Sequence, residues 1–239
     1  MSARPDSELP QGDNAPMQSG LVDAEDQDYA DNLALIEQME SRRRISDKSF
    51  GAMLVVLGAV AFVAAMALTI EKFLKLENPD HQASCSINIF LDCAAAMGST
   101  QGSIFGFPNQ LIGIFAFSVV IVSGVVVLAG ATLPRWYWRA LLVGTTLGMA
   151  MIVFLMYTSI HTLGRLCPYC MVVWAMMIPL LWYQIVRGVQ EGYVPASSGV
   201  RMSLMRYKHV ILPFFYLAVV VWIGLGMGPE IVNYLNAGR

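Results

Sequence analysis

The sequence predicts an all-α integral membrane protein with five transmembrane helices, and three observations carry that expectation. Of its 239 residues 56% are hydrophobic and only 13% are charged, where an ordinary globular domain is about a quarter charged. The mean hydropathy is +0.56. Five apolar runs follow one another, and about 20 helical residues suffice to cross a hydrocarbon layer of about 30 Å.

Residues 1–44 come first. Pro5, Pro10 and Pro16 are followed by Asp23, Glu25, Asp26, Asp28 and Asp31, which predicts a disordered acidic segment. Near its end Leu33, Ile36 and Met39 recur at roughly helical spacing, as in a short interfacial helix. The first apolar run, 50–70, follows this polar stretch and is long enough to stay in the membrane, so it reads as an anchor and not as a removable signal peptide. Residues 71–107 form a loop carrying Cys85 and Cys93.

The second run is 108–133, opened by Pro108 and Asn109, with Gly106 easing the turn before them. The third is 140–163 and has His161 near its end. Small residues in these two runs, Gly113, Ser118, Gly124, Gly144 and Gly148, suit close helix packing. The fourth, 170–186, is short and contains Pro179, while Trp182 and Tyr183 near its end read as interface anchors. A basic loop, 187–209, leads to the fifth run at 210–227 and a short tail from Gly228 to Arg239.

Lys and Arg in short loops set orientation. Arg42, Arg43, Arg44 and Lys48 precede the first run, Arg135 and Arg139 lie between the second and third, and Arg187, Arg201, Arg206 and Lys208 lie between the fourth and fifth. The other side has only Lys72, Lys75, Arg165 and Arg239. The bias predicts a cytoplasmic N-terminus and an external C-terminus. All four cysteines, Cys85, Cys93, Cys167 and Cys170, then gather at the outer face, where disulfides persist. Four cysteines allow three pairings.

The stretch Cys167-Pro168-Tyr169-Cys170 opens the fourth run. Proline suits a first helical turn, so Cys167 is predicted at a helix N-terminus. There unpaired N–H groups and the helix dipole favour a thiolate and make it a better nucleophile. Arg165 is read as adding positive potential. Three residues apart on a helix, the two sulfurs share one face, with Cys170 about a turn deeper. The loop pair is different. One regular helix over 85–93 would set Cys85 and Cys93 about 12 Å apart, beyond disulfide reach. Either the loop folds back, or it is helical and each cysteine pairs elsewhere. In the helical case Ile87, Phe90, Leu91 and Ala94 share a face that could rest on the membrane as a lid.

A dithiol shuttle needs an electron sink. There is no G-x-G-x-x-G fingerprint and no second cysteine cluster. A deeper cysteine facing an apolar bundle points to a membrane quinone, menaquinone or a related one, reduced by thiolate attack and release as quinol. Phe105, Phe107, Phe115 and Trp174 are candidates to line its pocket, with Asn109 above it and His161 as a proton relay. Asp92, next to Cys93, either tunes that thiol or is merely solvated. The spacing of Cys85 and Cys93 fits a zinc site poorly, and no metal is expected.

The stretches CSINIFLDC, GSIFGFPNQLIG and CPYCMVVW, in this order and between these runs, resemble the vitamin K epoxide reductase family. The likeness is to its bacterial members of the actinobacterial kind, which lack a fused thioredoxin domain, and it covers about residues 50–186. It implies a four-helix catalytic bundle over 45–186 plus one extra C-terminal helix over 210–239. It implies that Cys167 and Cys170 are the active-site pair beside the quinone and Cys85 and Cys93 the shuttle pair. By the same likeness Cys170 contacts the quinone, Cys167 exchanges with Cys93, and Cys85 meets the partner. That partner would be a separate thioredoxin-like (DsbA-like) protein outside a bacterial cytoplasmic membrane; nucleic acid is not expected. The chain departs from the vertebrate enzymes, which carry tyrosine where it has Trp174 and asparagine where it has Gly102. A different class of reading is a non-catalytic scaffold or transporter subunit whose four cysteines form structural disulfides.

Overall fold

The computed structural model of the chain describes residues 44–237 apart from 89, with backbone alone over 229–237, and single positions before 44. The acidic segment and the helix expected around Leu33, Ile36 and Met39 lie outside the described residues.

Among the described residues five helices are long and apolar enough to cross a membrane, as in a multi-pass membrane protein. Helix α1 spans Asp47–Glu77 and starts at Ser46, whose hydroxyl accepts from the Ser49 N–H, a side-chain cap. Gly51, Leu54, Gly58, Ala61, Ala65 and Leu68 are its buried stripe, spaced three and four apart as one helical face. Most are small, so other helices come close. Helix α1 outruns its apolar core by a turn, because Lys72 and Lys75 bond to loop carbonyls beyond it. The short helix α2 is Cys93–Gly98, followed by a tight turn of helix at Thr100–Ser103.

Helix α3 covers Asn109–Leu128, with Pro108 at its cap and Gly106 at φ +81 before it. It ends short of the expected residue 133, because Gly130 turns the chain at φ +84 and Pro134 caps the next helix. Helix α4 is Arg135–Tyr157 and continues into one widened turn, Thr158–Leu163, closed by Gly164 at φ +60. Helix α5 runs over Pro168–Gln190 and α6 over Ser198–Tyr207, so much of the expected basic loop is helical. Helix α7, Ile211–Ala237, carries the described part of the expected tail within it.

Helix α1 packs against α3 and α5, and α5 against α4, around Phe50, Leu54, Phe117, Val120, Leu141 and Leu180. Gly51 and Gly124 meet backbone to backbone: a Cβ on Gly124 would sit 2.7 Å from the Gly51 carbonyl oxygen. At the end opposite the cysteines, Arg187 bonds to the Ile45 carbonyl at 2.7 Å and pairs with Asp47.

Helix α5 passes through Pro179 without a break. Proline has no N–H for the carbonyl four residues back, here that of Ala175. The Tyr216 hydroxyl on α7 donates to that carbonyl at 2.6 Å, as a neighbouring helix can do in a membrane. Tyr216→Phe is therefore expected to cost about 1 kcal/mol in chemical unfolding. The loss should shrink in a Pro179→Ala background, where a restored N–H serves the same carbonyl.

Candidate active site

Cys167 caps α5 from a non-helical backbone, Pro168 follows in the first turn, and the Cys170 N–H points at the Cys167 sulfur at 3.4 Å. This is the helix start expected from the sequence. Cys85 and Cys93 form a disulfide with their Cα atoms 5.7 Å apart, so the fold-back alternative is the one realised. The Asn88 side-chain oxygen accepts from the N–H groups of Phe90 and Leu91, and Ile87 N–H bonds to Leu91 C=O, which reverses the chain inside the loop. Among the described residues between Cys85 and Cys93 no helix forms. The expected lid face is consequently split: Ile87 is 67% exposed, while Phe90 and Leu91 pack toward Trp174 and Met227.

Two backbone bonds bring the distant pairs together. Leu166 N–H bonds to Phe90 C=O at 2.8 Å and Asp92 N–H to Leu166 C=O at 2.9 Å. They place the Cys167 sulfur 3.4 Å from that of Cys93. Both residues are fully buried. Cys167 and Cys170 are free thiols, where a purely structural scheme expects a second bond. A hydrogen bond from the Cys170 thiol, joined by backbone N–H groups of residues 170 and 169, holds the Cys167 thiol below its ordinary range, against burial and the charge of Asp92.

Arg165 does not act as a free positive charge beside Cys167: its guanidinium pairs with Asp92 at 2.7 Å. Asp92 also accepts from Ser86 at 2.6 Å and caps α2 through the Ala94 N–H. Burial pushes the Asp92 carboxyl up, but the Ser86, Ala94 and Arg165 contacts outweigh it and hold it below its ordinary value. A depressed carboxyl contributes stability that is complete above its unfolded pKa of about 3.9 and is lost only as pH falls through the lower folded value. The clamp is thus expected to be constant from neutral to mildly acidic pH and to open in strong acid. Asp92→Ala should cost about 0.5–2 kcal/mol, mostly as a lost cap. Arg165→Ala, breaking a half-exposed pair, should cost about 0.2–1 kcal/mol. Protease nicking of the loop would rank them.

Below the sulfurs lies a cavity of about 520 Å³ between α1, α3, α4 and α5, within the range of small-molecule sites. Tyr169, Cys170 and Trp174 line its cysteine end, Leu141 and Leu180 its far end, and Ala96, Met97 and Gln101 its roof. Asn109 lines it too and fastens the roof, donating to Gln101 C=O at 2.6 Å and accepting from Ile104 N–H. Gly102 belongs to the roof, and a Cβ there would sit 2.5 Å from the Ala96 carbonyl oxygen, so this backbone excludes asparagine at that position. Gly144 and Gly148 line the wall instead of packing helices together: among the described residues nothing lies within 4 Å of a Cβ on Gly144, and only the end of Met177 near one on Gly148.

Among the residues expected at a ligand pocket, Asn109, Phe115 and Trp174 line this cavity; Phe105, Phe107 and His161 do not. Phe105 and Phe107 stack on each other in the loop, and His161 accepts from the Trp222 indole of α7 at 3.1 Å. Tyr169, Ser84 and Glu71 also meet at this site, unannounced by any expected role. Tyr169 was legible from its place between the two cysteines, whereas Glu71 and Ser84 have no spacing that announces them.

The sequence model of the vitamin K epoxide reductase family matches residues 52–185. No curated protein matches the chain.

Proposed function

The chain belongs to the vitamin K epoxide reductase family, whose members are membrane thiol-disulfide oxidoreductases that use quinones, and from that premise we propose that it oxidises a separate thioredoxin-like (DsbA-like) partner and reduces a membrane quinone such as menaquinone. It would sit in a bacterial cytoplasmic membrane, N-terminus inside, with its cysteines facing outward, as the distribution of Lys and Arg suggests.

The observation that carries this reading is the row of sulfurs, a disulfide at Cys85–Cys93 with the Cys167 sulfur 3.4 Å from Cys93 and Cys170 on the wall of the apolar cavity. A partner thiolate attacks Cys85 and releases Cys93 as thiolate; the partner's second thiol resolves the mixed disulfide and leaves Cys85 reduced. Cys93 attacks Cys167 of a Cys167–Cys170 disulfide and expels Cys170. Cys85 then attacks Cys93, restoring the loop disulfide and releasing Cys167. The sulfur arrangement observed is the one this last step leaves behind. Cys170 next adds to the quinone, and Cys167 closes the disulfide as quinol departs. Two electrons pass at each exchange.

The direct test is purified protein with a reduced thioredoxin-like protein and menaquinone. One quinone lost per partner dithiol oxidised is expected, and no quinone-dependent oxidation would refute the proposal. Orientation has its own test: a membrane-impermeant maleimide should modify these thiols in intact cells after reduction. Labelling confined to inverted vesicles would reverse it.

A further inference from the structure

Resting on the quinone reaction just proposed, a second question concerns protons. The exchanges release first Cys170 and then Cys167 as thiolates, so closing the active-site pair follows Cys167–S⁻ + Cys170–S⁻ + quinone + 2 H⁺ → Cys167–S–S–Cys170 + quinol. Both electrons come from sulfur, but neither proton does. Cys93 and Cys167 are completely buried, so outside water has no direct path through the sulfur junction to supply them.

One set of polar groups leads from the surface to the cavity. His81, partly exposed beyond the end of α1, bonds through Nε2 to Glu71 Oε2 at 3.0 Å. Glu71 is 8% exposed, and its other oxygen accepts from both the hydroxyl and the N–H of Ser84. The Ser84 hydroxyl lies 3.2 Å from that of Tyr169, and Tyr169 lines the cavity beside Cys170. Each neighbour in this row is within hydrogen-bond reach. The nearby cations are occupied elsewhere: Lys72 bonds to Met97 C=O and Ser103, and Lys75 to the carbonyls of Pro79 and His81. Glu71 is thus paired with an imidazole, a side chain whose two ring nitrogens can take up and pass on a proton. Ser84 is itself exposed to solvent, but a hydroxyl in water is a poor acid, and a carboxyl fed by histidine is a better one.

We infer that His81, Glu71, Ser84 and Tyr169 form a proton wire that delivers these protons, one at a time, from outside water to the quinone oxygens, while the electrons travel separately through sulfur. His81 passes a proton to Glu71 Oε2; the Ser84 hydroxyl, which donates to Glu71 at rest, turns toward Tyr169, and the protonated carboxyl rotates to present its O–H to Ser84. Ser84 then takes that proton as it gives its own to Tyr169, Tyr169 gives its own to the quinone, and the carboxyl and hydroxyls rotate back.

The test separates the two currents. A single-turnover assay without quinone reads electron exchange between the partner and the four cysteines; a second assay reads quinol formation. Tyr169→Phe is expected to slow quinol formation by about 10²-fold, a size typical of general-acid catalysis. Glu71→Gln, which keeps a hydrogen-bonding carbonyl toward Ser84, and His81→Ala should slow it about ten-fold and leave the exchange within about two-fold. Added imidazole should partly restore His81→Ala, which a merely structural role would not allow. Wild-type quinol formation in Glu71→Gln overturns the wire, as does exchange falling in step with quinol formation. If Tyr169→Phe alone is slow, water enters at Ser84 and the Glu71–His81 limb is refuted. Should the wild-type protein form no quinol, the parent proposal fails first.

Discussion

In a variant carrying both Cys85→Ser and Cys170→Ser, the sulfurs of Cys93 and Cys167 are expected to join in a single disulfide, and quinone reduction should fall to background. They already lie 3.4 Å apart, so a bond needs a movement of little more than 1 Å, given an S–S length of about 2 Å. Neither of the thiols able to resolve that bond remains. Peptide mapping without reductant would find residues 93 and 167 linked. The companion variant Cys93→Ser with Cys170→Ser removes the near sulfur and should leave Cys167 open to alkylation. If the first variant stays fully alkylatable under oxidant, the exchange order proposed for these sulfurs is wrong. If the single Cys170→Ser variant reduces quinone at the wild-type rate, the deeper cysteine is not the group that meets it.

The second large effect concerns stability. Gly124→Leu is expected to lower the melting temperature sharply, by several degrees at least. The added Cβ meets the Gly51 carbonyl oxygen at 2.7 Å and the Leu54 Cβ at 2.9 Å, atoms that can retreat only if α1 and α3 part. Overpacking of this kind costs about 1–3 kcal/mol and sometimes more, and here it falls on the tightest pairing of the bundle. Gly144→Leu is the matched control, since a Cβ there touches nothing. It should keep the melting temperature but obstruct the cavity wall and slow quinone reduction. Equal melting temperatures for the two variants would show that the close approach of α1 and α3 does not matter to the fold.

Much of this architecture was legible from residue order. Five apolar runs became five long helices, and Pro168 after Cys167 announced the start of α5. The boundaries were less so, because hydropathy records where lipid contact ends and not where hydrogen bonding does. Helix α1 therefore continues past Ile70 through Lys72 and Lys75, and α3 stops at Leu128 although apolar residues go on. Inside the cysteine loop, residue spacing left a helix and a fold-back both open, and one side-chain oxygen of Asn88, bonded to two N–H groups, folds the segment back. A period of 3.6 carries no sign of such a contact. The same holds for Arg165, whose charge was visible while its partner, 73 residues away, was not. Gly144 and Gly148 looked like Gly124 in composition. Only the position of α4 makes them bare wall where Gly124 is a point of contact.

That bare wall has a consequence for traffic. Helices α3 and α4 are joined near the end away from the cysteines by Ser123 and Tyr137 at 2.6 Å, and they pack on their neighbours more than on each other. Phe115 and Gly144 face the cavity and the outer surface at once. For the proposed reaction, a bilayer-soluble quinone would have a sideways route between α3 and α4 that leaves the roof of residues 96–102 in place. Loading and unloading would then proceed from the lipid while the loop above stays latched.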